Sequence, residues 1–97
     1  MEVTVPRIYA TEGEHVHAKI FKRLHDDEKV QVVTMFRGIN GSGRSGKVRA
    51  STLLDMSMDL LVVIGFFNAP DKVMYTLEHL RDIVQPDHVL TFAADLT

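Results

Sequence analysis

The chain has 97 residues, 45% hydrophobic and 25% charged, with a net charge of −2; this is the composition of one ordinary globular domain, residues 1–97, and not of a disordered or fibrous chain. It contains no cysteine, which excludes disulfides, thiolate metal centres and cysteine nucleophiles. Its longest apolar run, residues 60–67, falls far short of the roughly 20 residues that span a bilayer, and the first residues lack a signal-peptide pattern, so a cytoplasmic protein is expected.

Residues 3–10 read as a strand, with Val3, Val5, Arg7 and Tyr9 on one face. Thr11, Glu12 and Gly13 break it. From residue 14 to about 25, Val16, Ile20 and Leu24 recur at helical spacing beside Phe21, with Lys19, Lys22 and Arg23 facing water. The run Asp26-Asp27-Glu28-Lys29 is a polar turn, and residues 30–36 form a second, β-branched and aromatic strand. Four glycines between Gly38 and Gly46 then favour backbone freedom over a rigid element, so a mobile loop is expected to about Ala50.

Residues 51–58 are ambiguous, with Leu53 and Leu54 expected to tuck under the domain. Residues 60–67 are apolar except for one glycine, which predicts a strand buried on both faces. Pro70, just after Asn68 and Ala69, opens a helix carrying Val73, Leu77, Leu80 and Val84 on one stripe until Pro86. Residues 88–93 form the last strand. The order is β-α-β-loop-β-α-β, a ferredoxin-like α+β fold with two helices on one face of a four-stranded antiparallel sheet. The other face, carrying such residues as Leu61, Val63 and Phe67 or their alternates, has no partner within the chain. An apolar face of that size predicts an oligomer.

Between residues 37 and 54 the chain carries Arg37, Arg44, Lys47 and Arg49 and no acid, on a body that is otherwise acidic. That contrast points to a local anion site and away from a general nucleic-acid surface. The stretch Gly41-Ser42-Gly43-Arg44-Ser45-Gly46-Lys47-Val48 matches a phosphate loop except at its last position, where valine replaces the hydroxyl that ligates magnesium. Glycine-freed backbone N–H groups with Arg44, Lys47 and Arg49 still make an anion cradle; the same residues also suit a solvated hairpin. The five histidines have no metal-ligand spacing: His15 and His17, two apart, lie on different faces of a helix. No nucleophile elbow surrounds Ser42, Ser45, Ser51 or Thr52. The aromatic pattern of RNA-binding sheets is missing around Arg37-Gly38-Ile39-Asn40-Gly41. The acidic Thr11-Glu12-Gly13-Glu14 disfavours the phosphate pocket that acylphosphatases carry after the first strand.

Three further stretches carry a resemblance: Phe36-Arg37-Gly38-Ile39-Asn40-Gly41-Ser42-Gly43, the leucine-rich Ser51-Thr52-Leu53-Leu54-Asp55-Met56, and Val84-Gln85-Pro86-Asp87-His88-Val89. Together they resemble short PII-like signalling proteins. The resemblance implies a non-enzymatic homotrimer with its sheets facing the centre, ligand clefts between protomers, and residues 38–50 as the T-loop that docks on a target. Residues 41–46 are similar to the glycine-rich signature of PII proteins. No tyrosine in the loop allows uridylylation, and the second glycine- and lysine-rich loop and the C-terminal arginines of triphosphate-binding relatives are missing. A smaller adenine nucleotide, AMP or ADP, is therefore implied, and the subgroup associated with bicarbonate uptake or carboxysomes implies bicarbonate beside it.

On this reading the nucleotide is walled by Thr34 and Phe36, and its phosphates or the companion anion meet Gly38, Gly41, Gly43, Arg44, Gly46, Lys47 and Arg49. Pro86, Asp87 and His88 of a neighbouring protomer close the site. The partner is a protein target, a membrane transporter being one such. Two alternatives use the same basic loop: a small enzyme acting on a phosphorylated or acyl substrate, and a ligand-free adaptor.

Overall fold

Alternating side chains in β1 (Glu2–Thr11) and β5 (Leu61–Phe66) place one row of apolar groups against the helices and the other row on the opposite face. The computed structural model describes residues 1–42, 48–50 and 60–97. Within them, β2 (Val33–Arg37), β5, β1 and β6 (Val89–Asp95) form a four-stranded sheet in the order β2-β5-β1-β6. Every neighbouring pair is antiparallel. Between β2 and β5 the chain forms a separate two-stranded ladder, β3 (Asn40–Ser42) with β4 (Val48–Ala50). The stretch expected to be irregular from residue 38 to 50 therefore contains paired backbone on both sides of its centre.

Helix α1 (Val16–Lys22) starts after His15, whose φ of 60° turns the chain in the left-handed region. It continues as a wider π-type turn over Arg23–Asp27, which reaches into the acidic stretch expected to be a plain turn. Ile20 and Leu24, one helical turn apart, are buried, as their spacing predicts. Helix α2 (Pro70–His79) begins with proline in its first turn, where the missing N–H costs nothing. It ends seven residues before Pro86. Leu80, Ile83 and Val84 still reach the core because the chain bends back through turns in which the Leu80 carbonyl accepts the N–H groups of Ile83 and Val84.

The core lies between these helices and the sheet. Ile8, Ile20, Leu24, Val30, Ile64, Phe66, Val73 and Leu80 form one buried cluster, with Val16, Val33, Leu77 and Val89 against it. Each fully buried aliphatic side chain contributes about 1.5–3 kcal/mol. The apolar run of β5 is not buried on both faces: Val62, Ile64 and Phe66 are buried, and Leu61, Val63 and Gly65 are half-buried. Only one layer of helices covers the sheet, so the alternate residues keep their exposure.

Candidate functional site

Residues opposite one another in an antiparallel pair share a face, so the register defines the uncovered surface. Thr34, Gly65, Arg7 and Leu90 form one row across the four strands. Phe36, Val63 and Tyr9 form the next, continued by His88, whose carbonyl accepts the Tyr9 N–H at 2.9 Å. Phe92 pairs with Val5 in a third row. Phe36 is 64% exposed, Leu90 52%, Tyr9 41% and Phe92 39%. The Arg7 guanidinium sits over the Phe92 ring, 5.2 Å from its centroid, and places a cation on this largely apolar surface.

Of the expected site residues, Thr34 and Phe36 lie on the outer strand β2, exposed on this face. Pro86, Asp87 and His88 form the turn into β6 at the opposite edge, where Asp87 takes a φ of 65° and the His88 N–H reaches the Gln85 carbonyl at 3.3 Å. Three strand spacings, about 14 Å, separate the two groups within one chain. Phe36 and His88 occupy the same row of the sheet at its two ends, so a single protomer does not bring them together. Gly41 in β3 stands opposite Arg49 in β4. Gly43, Arg44, Gly46 and Lys47 lie outside the described residues.

Gly38 has a definite structural part. Its N–H donates to the Leu61 carbonyl at 2.7 Å, and a Cβ there would stand 3.3 Å from that oxygen. This contact joins the start of the 38–60 excursion to its end. Beside it, both carboxylate oxygens of Glu12 accept from the Arg37 guanidinium, one of them from Nη2 at 3.0 Å. The Leu60 N–H lies 3.4 Å from Glu12 Oε2, and the Glu12 N–H donates to the Leu60 carbonyl at 2.8 Å. The Glu12 side chain is only 13% exposed. The hydrogen bond from Arg37, aided by that from the Leu60 amide, outweighs burial and holds its carboxyl below the ordinary value of 4.5.

Glu12 therefore fastens residue 37 to residue 60, the two roots of the hairpin segment. Sequence reasoning read Glu12 as part of a strand break and Arg37 as one of four cations in an acid-free segment. The pair becomes visible only with the strand order, which sets the ends of β1 and β2 on either side of the start of β5. Leu90 and Phe92 were also missed as open-face residues; their spacing of two in the last strand was the available signal. His15 and His17 have ring centroids 6.4 Å apart. Among the described residues no three metal-ligating side chains converge.

A 2-5-1-6 antiparallel sheet with two helices on one face defines a protein of ferredoxin-like α+β fold. Solved structures share it. CPII from Thiomonas intermedia K12, a nitrogen regulatory PII-like protein, superposes in its form bound to ADP and bicarbonate with a TM-score of 0.66 and 22% identity, over 99% of this chain and 87% of that one. Its form bound to ADP, AMP and bicarbonate gives 0.59 and 15%, over 99% and 87%. CutA1 from Oryza sativa gives 0.63 at 13% identity, over 100% of this chain and 82% of that one. Residues 3–95 match the model of the DUF190 family, Uncharacterized ACR, COG1993, and the chain belongs to that family. No curated protein matches it.

Proposed function

We propose that the chain, acting as one domain, is a non-enzymatic, homotrimeric PII-like regulator. It binds AMP or ADP between protomers, together with bicarbonate, and acts on a protein target through residues 38–50. The observation that carries this reading is the division of the expected site between the two outer edges of one sheet. Thr34 and Phe36 lie at one edge and Pro86, Asp87 and His88 at the other, with an exposed apolar surface between them. A cyclic assembly that buries Tyr9, Leu90 and Phe92 brings the β2 edge of one protomer against the β6 edge of the next, which a heterologous, ring-closing contact achieves. The ligands come from the likeness to CPII, whose structures hold ADP, AMP and bicarbonate.

In that cleft the adenine base packs on the Phe36 ring, and Arg44, Lys47 and Arg49 meet phosphate or bicarbonate through charge-assisted hydrogen bonds. Ligand binding selects one arrangement of residues 38–50, and that arrangement is read by the target, a membrane transporter or another component of inorganic-carbon handling in the cytoplasm. Among the described residues no helix is long and apolar enough to cross a membrane. The test is calorimetric titration of AMP, ADP and ATP, each with and without bicarbonate, on protein whose solution mass is measured in parallel. A trimer binding about one AMP or ADP per protomer, with affinity shifted by bicarbonate, is expected. A trimer that binds no nucleotide rejects the sensor reading and leaves the adaptor; turnover of a phosphorylated or acyl substrate identifies the enzyme.

A further inference from the structure

The end of the sheet farthest from the hairpin roots holds a cavity of about 460 Å³ that the proposed regulatory site does not use. Its walls come from the start of β1, the loop before β2, the residues after β5 and the first two turns of α2. Val3, Val32, Phe67 and Leu96 supply an apolar lining. Lys29 and Lys72 stand at its polar side, and no ion pair holds either of them among the described residues. The acid of the cavity, Glu28, is drawn aside: both of its carboxylate oxygens lie 3.1 Å from His79 Nδ1. With two lysines against one engaged carboxylate, the surface is biased toward an anion.

Thr76, 6% exposed, is a further polar residue of the cavity wall. Its hydroxyl can donate or accept a hydrogen bond there. Here the hydroxyl, two lysines and an apolar lining face one space whose volume falls in the range of small-molecule sites.

We propose that this cavity is a ligand site for a small amphipathic anion, an apolar chain or ring with one terminal carboxylate or phosphate. Lys29 and Lys72 hold the charged end, the Thr76 hydroxyl donates to it, and the apolar body lies against Val32, Phe67 and Leu96. The site is separate from the nucleotide cleft and stands or falls independently of it.

The test is amide-detected NMR titration of the full chain in its native assembly with four probes: hexanoate, hexyl phosphate, inorganic phosphate and hexanol. Saturable shifts at Lys29, Phe67, Lys72 and Thr76 with one or both amphipathic anions are expected, and their relative affinities distinguish a carboxylate site from a phosphate site. Hexanol and inorganic phosphate, each lacking one half of the recognition, should bind at least tenfold more weakly. Lys72→Ala and Thr76→Val should each weaken the better anion about fivefold, and Thr76→Ser, which keeps the hydroxyl, should restore it. Hexanol binding as tightly as hexanoate would reduce the cavity to an apolar pit and overturn the proposal. So would the absence of saturable shifts with either anion, or shifts that survive Lys72→Ala and Thr76→Val unchanged.

Discussion

Replacing Glu12 by glutamine removes the charge that clasps residues 37 and 60 while keeping the side chain's shape. Glu12 accepts two hydrogen bonds from the Arg37 guanidinium and a longer one from the Leu60 amide. Hydrogen bonds to a charged group are worth about 1.5–3 kcal/mol when shielded. The Arg37 side chain is 47% exposed and recovers part of that from water, so the net loss is about 1–2 kcal/mol. In a domain of this length that lowers the melting temperature by roughly 5–10 °C, measured by thermal unfolding at one fixed protomer concentration.

The pH dependence has a definite sign. The carboxyl is held below its ordinary value of 4.5 in the folded chain, so the unfolded chain takes up the proton first as pH falls. The advantage of the native protein over Glu12→Gln is full above that value and disappears as pH drops through the lowered folded-state pKa. A double-mutant cycle with Arg37→Ala should return a coupling of about 1 kcal/mol at pH 7. Parallel loss of stability by native protein and Glu12→Gln from pH 6 to 3, together with a coupling near zero, would refute the reasoning.

Three other outcomes are expected. Ile64→Ala, emptying the centre of the core cluster, should cost about 2–5 kcal/mol in urea unfolding with little change in m-value. If the chain is the proposed trimer, Leu90→Asp, on the uncovered face at 52% exposure, should leave far-UV circular dichroism intact and shift sedimentation from trimer to monomer; a variant that stays trimeric removes that face from the interface. Gly38→Ala, whose added Cβ meets the Leu61 carbonyl at 3.3 Å, should speed hydrogen exchange at the residue 38 and 60 amides more than in the core, and uniform acceleration would show a global effect instead.

Much of the architecture was legible before any coordinates because its signals are local. Ile20 and Leu24, Val73 and Leu80, and Pro70 after Asn68 each announce a helix face or a helix start through spacing alone. The candidate site was legible in part. Thr34 and Phe36 fall on one strand face, and Pro86 to His88 mark a turn, all within reach of a reading along the chain. Their placement at opposite edges of the sheet was not legible, because it depends on which strands pair. The burial of β5 was misjudged for a related reason. An unbroken apolar run states what a strand tolerates, and the number of layers that cover it is a property of the assembled sheet.

The sequence by itself determined the βαββαβ order, the helix faces and the basic, glycine-rich character of residues 38–50, since each is set by period, turn chemistry or composition within a short window. Only the tertiary structure decided the strand order β2-β5-β1-β6, the Glu12–Arg37 clasp across 25 residues, and the meeting of Lys29, Lys72 and Thr76 around one cavity. Those contacts join segments whose separation along the chain carries no pattern. They form because burying the apolar faces of both helices against one side of the sheet leaves few arrangements, and the arrangement reached sets which polar groups become neighbours.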